Sequence, residues 1–289
     1  MNNIIFNNNN ILDFLKSDEA SSNDYVLILQ LIKELSFTVE INHDEDILMK
    51  IYEELAVTRN YNENKKIISI LLEKYSKFIE QDEYNNRLKE VNSLIDRESK
   101  EFKDVIRESF IFDSQNGMVG FDIDNLDEGI RHAKNINELK EVLLILALKH
   151  NKIEDFMHDV FIILENLIFD ENIIDGIEKL NDGFEKRKNE IIYHLYCIET
   201  EVPKIISRNI TGYREIGDQM TISCSPESKR YDELKKYIDG NCINCELHTK
   251  MKRLSAKAPD RIYFCPNVPN DILKEDNRHI FIYKITKHI

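Results

Sequence analysis

The sequence predicts a mainly α protein, in which a multi-helix domain is followed by a small α+β domain with the element order β-α-α-β-β. Apolar residues recur at helical spacing through most of residues 1–205, which favours helices there. The carboxyl-terminal residues instead contain two short runs of β-branched and aromatic residues, which favour strands. We therefore expect an acidic all-α domain at residues 1–205, a linker at 206–217 and an α+β domain at 218–289.

Each predicted helix of the first domain has an apolar stripe with a spacing of three or four residues. In one of them, Ile47, Leu48 and Ile51 form the stripe, and acidic residues at positions 44–46 suit the first turn, where negative charge is favourable. The predicted helices are Ile11–Leu15, Tyr25–Ser36, Asp44–Leu55, Asn62–Ile79, Glu83–Phe110, Leu126–His132, Ile136–His150 and Ile153–Phe169, and Glu171–Ile198 forms one or two more. Pro203 and the polar residues that follow it mark the linker.

The carboxyl-terminal domain begins with the alternating segment Met220–Cys224, which predicts a strand. Ser225-Pro226-Glu227 has the composition of a helix start, and Asp239-Gly240-Asn241 would end that helix. A second helix is predicted from Cys242 to Lys257. Arg261–Phe264 and His279–Ile285 predict the last two strands.

Composition and charge limit the location and the ligands of this protein. No apolar run reaches the roughly 20 residues that a membrane helix requires, so we expect no membrane contact. Five cysteines, an odd number, are typical of a reducing compartment, and we predict a cytoplasmic protein. The net charge is −14, but residues 218–289 hold 13 Lys and Arg against 10 Asp and Glu, which makes that segment +3 and residues 1–217 −17. A polyanion would therefore bind the carboxyl-terminal domain.

The clearest candidate site is a cluster of basic and aromatic residues in this domain. His248, Lys250, Lys252 and Arg253 lie in one short segment, and Arg261 and Tyr263 follow it. Cations bind phosphate, and Tyr or His can stack on a base or transfer a proton. An alternative is that these cations dock on the acidic helical domain, which would mask them until something displaces it.

The order of elements, the Ser-Pro-Glu start, the Arg-Ile-Tyr-Phe strand and a last strand that ends near Lys284, Lys287 and His288 resemble the RelE/ParE superfamily of small bacterial toxins. The segment also resembles carboxyl-terminal domains of uncharacterised, defence-associated bacterial proteins. The resemblance implies a basic sheet face that acts on RNA, with acid–base chemistry at a ribose 2′-OH. The predicted catalytic residues are His248, Lys250, Arg261, Tyr263 and His288, and the predicted nucleic-acid-binding residues are Arg230, Lys236, Lys252, Arg253, Lys284 and Lys287.

Two other groups of residues have the composition of a functional site. Cys242-x-x-Cys245 has zinc-ligand spacing, and Cys224, Cys265 and His248 could complete a site; buried free cysteines are the alternative, and we predict no cofactor. Arg187 and His194 are similar to the Arg-x(4–6)-His motif of HEPN ribonucleases, with an ordinary pair of helix residues as the alternative.

Two functions are therefore expected. The first is a toxin-like or antiviral defence protein whose carboxyl-terminal domain binds or cleaves RNA. The second is a non-catalytic scaffold that binds a partner protein of the same multi-gene system. The sequence predicts no oligomeric state.

Overall fold

The computed structural model describes residues 2–6, 34, 39–44, 47–57, 76–79, 82, 119–122, 130–133, 136–228, 231–238, 240–269 and 280–289. The chain divides into two compact units, Met1–Leu146 and Ala147–Ile289. The predicted helices Ile11–Leu15 and Glu83–Phe110 and almost all of Tyr25–Ser36 lie outside the described residues, as does Arg230.

The first unit contains a five-stranded sheet, so the prediction of an all-α domain is wrong. Its elements are β1 (Asn2–Phe6), β2 (Val39–Asp44), α1 (Ile47–Val57), β3 (Ser76–Ile79), β4 (Val119–Asp122), β5 (Ile130–Ala133) and α2 (Ile136–Ala147). The last residue of α2, Ala147, is the first residue of the second unit. The strand order is β3-β2-β1-β4-β5, with β1, β2 and β3 parallel and β4 and β5 antiparallel to their neighbours.

Helix α1 and helix α2 confirm two of the predicted helices, whereas β3 and β5 replace parts of two others. The strand pairs join distant residues: Ile4 lies opposite both Ile41 and Phe121. Such pairing is invisible to local periodicity, and a short apolar run is compatible with either a helix or a strand. This is why helical spacing was misleading here.

The second unit is α+β: the described residues from about 143 to 289, nearly all of them in this unit, are 45% helix and 21% strand. Its elements are α3 (Ile153–Ile163), β6 (Leu167–Phe169), α4 (Ile173–Ile177), α5 (Phe184–Ile206), α6 (Tyr213–Gln219), β7 (Cys224–Pro226), a 3-10 turn (Tyr231–Leu234), β8 (Lys235–Ile238), β9 (Asn241–Asn244), β10 (Leu247–Lys250), β11 (Arg261–Cys265) and β12 (Ile280–Thr286). One sheet has the order β6-β12-β11-β10-β7, and β8 and β9 form a separate hairpin. Only the β6–β12 pair of the five-stranded sheet is parallel.

The predicted order β-α-α-β-β for residues 218–289 is therefore wrong in its two helices. The segment expected to be the first helix is the 3-10 turn and β8, and the segment expected to be the second is β9, β10 and an irregular loop. Gly240 has φ +83°, a conformation that glycine adopts readily. It lies in the turn between β8 and β9, and Asp-Gly in such a position is a hairpin signal that was interpreted as a helix end.

The two strands predicted at Arg261–Phe264 and His279–Ile285 are confirmed as β11 and β12. The first predicted strand of this region is displaced, because β7 begins at Cys224. Residues 206–217, predicted as a linker, contain the end of α5 and most of α6. The boundary between the two compact units instead lies between Leu146 and Ala147.

The core of the second unit lies between its helices and one face of the five-stranded sheet. The large apolar side chains that are fully buried include Phe156, Leu195, Ile198, Ile262, Phe264, Ile282 and Ile285. Helix α4 packs on β12 so closely that a Cβ at Gly176 would lie 2.6 Å from Ile285 O. Helix α5 contacts β10, where His194 Nδ1 is 2.8 Å from Thr249 Oγ1.

Candidate functional site

Four of the five predicted catalytic residues share one face of strands β10 and β11. His248 lies directly opposite Tyr263, and Lys250 lies opposite Arg261. Residues two apart on a strand point to the same side of the sheet, so all four side chains leave the sheet on one face. Thr249, between His248 and Lys250, points to the other face, where it contacts α5. We call His248, Lys250, Arg261 and Tyr263 the polar face.

An apolar cluster bounds the polar face at one end. Cys265, two residues beyond Tyr263, packs with Ile243 of the hairpin and with Phe281 of β12. All three side chains are buried. The β8–β9 hairpin therefore covers that part of the sheet.

His248 is 1% exposed, and its two ring nitrogens have different surroundings. Nδ1 is 3.4 Å from the carbonyl oxygen of Glu246, whereas Nε2 is buried and has no hydrogen-bond partner among the described residues. A carbonyl oxygen only accepts, so this contact assigns the proton to Nδ1 and leaves the lone pair on Nε2. Burial, with the nearby charge of Arg261, lowers the pKa of His248 to about 4. The ring is therefore neutral at pH 7, with a basic nitrogen that nothing in the described structure occupies.

Arg261 is 9% exposed and is held at one end of its guanidinium group. Its Nη1 donates to Glu227 Oε2 and, at 3.4 Å, to Tyr263 Oη. Its Nε is buried and has no partner among the described residues. The Nε side of a guanidinium group can bind the oxygen atoms of a carboxylate or phosphate. Arg261 thus presents an oriented donor beside His248.

Glu227 is the carboxylate that orients Arg261. Burial alone would raise its pKa, but a hydrogen bond from Ser228 N and the charge of Arg261 outweigh burial and lower the pKa below its ordinary value. His288 also contributes to the lowered pKa of Glu227 and so lies near this carboxylate, and its side chain is exposed. Glu227 is therefore ionised at neutral pH.

Tyr263 is fully buried and lies against His248, with the ring centroids 5.2 Å apart. Burial is the largest cause of its raised pKa, so the phenol is protonated at neutral pH. Its oxygen accepts from Arg261 and, at 3.5 Å, from Ile289 N. Tyr263 consequently supports the two other buried members of the polar face and is not itself exposed to a ligand in solution.

The predicted nucleic-acid-binding residues are dispersed. Lys284 lies opposite Tyr263 on β12, and its Nζ is 4.4 Å from the centre of the Tyr283 ring. Lys287 is exposed just beyond β12. Lys236 is bound to Asp170 at 2.7 Å, away from the polar face. Its charge is therefore already neutralised within the protein.

Lys252 and Arg253 belong to an exposed loop, residues 252–258, that follows Lys250. We call this segment the basic loop, because it also contains Lys257 and has no acidic residue. Since β10 ends at Lys250 and β11 begins at Arg261, the basic loop lies at the Lys250–Arg261 end of the polar face.

Glu227 was missed as a site residue, because Ser225-Pro226-Glu227 was interpreted as a helix start. In the structure Pro226 ends β7, and Glu227 N donates to Glu246 O beside the next strand. Its negative charge could have indicated Glu227 as a partner for the predicted cations. It is the acidic residue that follows β7, and β7 lies beside β10 in the sheet. That neighbour relationship is not visible in local spacing.

Arg187 and His194 lie on the same side of α5 but are occupied by structural contacts. Arg187 is 1% exposed and pairs with Asp182 at 2.7 Å, Asp260 at 3.0 Å and Glu190. Both side chains are buried against other parts of the unit. The similarity to the ribonuclease motif is therefore explained by packing of α5.

The cysteines do not form a metal site. Within the described part of the chain, no group of three or more His, Cys, Asp or Glu side chains is placed to hold a metal ion. Cys245 and Cys265 are buried, and burial is the main cause of the raised pKa of each thiol. The alternative of buried free cysteines holds for Cys197, Cys245 and Cys265, whereas Cys224 is partly buried and Cys242 is exposed.

Among the described residues, no helix combines the length and apolar character that a membrane span requires. No family model, no curated protein and no solved structure matches this chain.

Proposed function

We propose that the second unit binds RNA through the polar face, with a phosphate at Arg261 and the neighbouring ribose 2′-OH at His248. The supporting observation is a pair of buried atoms that have no hydrogen-bond partner among the residues that the structure describes: Arg261 Nε, a donor, and His248 Nε2, an acceptor. Buried polar atoms are rarely left without partners, and such exceptions require an explanation. RNA carries a phosphate oxygen and a hydroxyl proton in close proximity, which matches a donor beside an acceptor.

The same arrangement can support cleavage of the RNA chain. His248 Nε2 would accept the 2′-OH proton, the 2′-oxygen would attack the adjacent phosphorus, and the bond from phosphorus to the 5′-oxygen would break. The products would be a 2′,3′-cyclic phosphate and a free 5′-OH, whose proton would come from Lys250 or His288. A bound phosphate would raise the pKa of His248 from about 4, because a negative charge favours the protonated ring.

The experiment measures binding of a ten-nucleotide uridine RNA and of the same DNA sequence with deoxyuridine. We expect RNA to bind more tightly, with an affinity that falls as salt is raised. Arg261→Gln should weaken RNA binding by at least about tenfold, the equivalent of roughly 1.4 kcal/mol. Lys204→Gln, an equal change of charge at an exposed position of α5, is the control.

Failure of the wild-type protein to bind RNA, or equal losses in both variants, would overturn the proposal. Cleavage has its own readout: a 2′-deoxy substitution at the scissile nucleotide should block it. His248→Gln should abolish cleavage while the thermal transition stays cooperative. Cleavage that is unchanged in His248→Gln would remove this residue from the mechanism.

The burial of His248 and Tyr263 favours a second candidate, a non-catalytic subunit in which the polar face only stabilises the fold. Both side chains are at most 1% exposed, so a ligand must displace something to reach them. Under this alternative Arg261→Gln would lower stability, RNA would not bind, and the exposed surface would serve a partner protein. A toxin-like or antiviral role is implied by a resemblance that depends in part on the element order β-α-α-β-β, and the two helices of that order are a 3-10 turn and strands in the structure.

A further inference from the structure

The basic loop consists of seven consecutive exposed residues, 252–258. It carries Lys252, Arg253 and Lys257, which give it a charge of +3. Among the residues that the structure describes, the amino groups of Lys252 and Lys257 form no ion pair or hydrogen bond. These two side chains are available to an external anion.

The backbone of the basic loop is nevertheless anchored at both ends. Arg187 Nη1 donates to Lys252 O at 2.7 Å, and Lys252 N donates to Glu190 Oε1 at 2.7 Å. At the other end, Asn181 Nδ2 donates to Ala258 O at 3.0 Å. These contacts hold the main chain without using a lysine side chain.

Arg253 shapes the tip of the basic loop. Its Nε donates to Ser255 O at 3.1 Å, and its Nη2 donates to Ala256 O at 2.6 Å. A loop with this internal bonding presents its cations in a defined arrangement, which lowers the entropy lost when a ligand binds. The loop also begins two residues after Lys250, at the end of the polar face.

We propose that the basic loop is a second binding site for the phosphate backbone, so that the protein selects an oligonucleotide over a mononucleotide. This inference rests on the proposed function of the polar face, because the first phosphate is assigned to Arg261. The next phosphates of the same strand would lie against Lys252 and Lys257. Polyanions bind with contributions from each neutralised phosphate, whereas a mononucleotide has only one phosphate to offer.

The test uses Lys252→Gln/Lys257→Gln, which leaves Arg253 and all anchoring contacts in place. The control is Lys179→Gln/Lys204→Gln, which removes the same charge at two exposed helical or near-helical positions. The probes are a ten-nucleotide uridine RNA and uridine 3′-monophosphate. We expect the loop variant to bind the RNA at least about tenfold more weakly and to show a salt slope smaller by about 1.4, the value for two contacts to a single strand. Binding of the mononucleotide should not change.

Equal affinity of the wild-type protein for the two probes would contradict the proposed second site at the basic loop. It would not contradict ligand binding at the polar face. Absence of binding to either probe would instead overturn the proposed RNA function. The cations could also serve only to balance the carboxylates of Asp182, Glu190 and Asp260 near the loop. In that case the loop variant would lose thermal stability and keep its RNA affinity, which would also contradict the inference.

Discussion

Arg187 Nε donates to Asp260 Oδ2 at 3.0 Å and thereby joins helix α5 to the residue that precedes β11. Asp260 is fully buried and also accepts from Asn181 N at 3.0 Å. Burial would lower the pKa of Arg187, but its carboxylate partners, Glu190 first, outweigh burial and raise it. This buried ion network fixes the start of α5 against the β10–β11 connection, and so determines where the basic loop and the polar face lie.

Asp260→Asn should therefore destabilise the protein strongly. The substitution keeps the shape but removes a charge that offsets a buried guanidinium group, and breaking a buried pair in this way costs about 3 kcal/mol. The free energy of unfolding, measured in urea, should fall by that amount with an unchanged slope. Asp218→Asn, at an exposed position of α6, should change it by less than about 0.5 kcal/mol. Equal effects of the two substitutions would contradict the structural role of the network.

Stability should depend on pH through His248. Burial and the charge of Arg261 lower its pKa from 6.5 to about 4, so the unfolded chain takes up a proton at a higher pH than the folded protein. The contribution to stability is therefore complete above pH 6.5 and is lost as pH falls towards 4, by up to roughly 3 kcal/mol. The measurement is urea unfolding of wild type and His248→Gln at pH 7.5 and 4.5. Lowering the pH from 7.5 to 4.5 should reduce the free energy of unfolding of the wild type more than that of His248→Gln. An equal reduction in the two proteins would contradict the lowered pKa of His248.

Two substitutions at Glu227 test separately the effect of its negative charge and the effect of its hydrogen bond with Arg261. Glu227→Gln keeps an acceptor for Arg261 Nη1 but removes the negative charge beside the proposed phosphate position. We expect RNA affinity to rise about fivefold at low salt, which corresponds to roughly 1 kcal/mol. Glu227→Ala should bind RNA more weakly than Glu227→Gln, because Arg261 loses its orientation. Tighter binding by the alanine variant would show that Glu227 only competes with the ligand.

Gly217 is a position at which a methyl group does not fit. A Cβ there would lie 2.8 Å from Cys224 O, a backbone atom at the start of β7. Gly217→Ala should therefore force α6 and β7 apart and lower the free energy of unfolding by about 2 kcal/mol. At Gly212 the nearest atom is the flexible carboxylate of Glu215, 3.1 Å away, so Gly212→Ala is the matched comparison. Thermal unfolding of both variants checks the prediction, and similar transition temperatures would argue against tight packing of α6.

The polar face illustrates how a correct choice of residues can accompany a wrong local structure. His248 and Lys250 were predicted on a helix, where a step of two residues is a rotation of about 200° about the helix axis, so that the two side chains would lie on nearly opposite sides. On strand β10 they share one face, and the register of β11 brings Arg261 and Tyr263 beside them. The residue types indicated the chemistry, whereas the strand pairing brought them together.

Strands β11 and β12 and helices α1 and α2 followed from local pattern, because a run of β-branched residues or an apolar stripe is a property of neighbours in the chain. Local pattern failed where pairing is distant: Ile4 with Ile41 and Phe121 in the first unit, and Ile280 with Leu167 in the second. Composition also indicated a more basic carboxyl-terminal part. Only the tertiary structure decided that Glu227 orients Arg261 and that, in the described part of the chain, His248 Nε2 and Arg261 Nε have no hydrogen-bond partner. The reason is that contacts between strands depend on which backbones lie side by side.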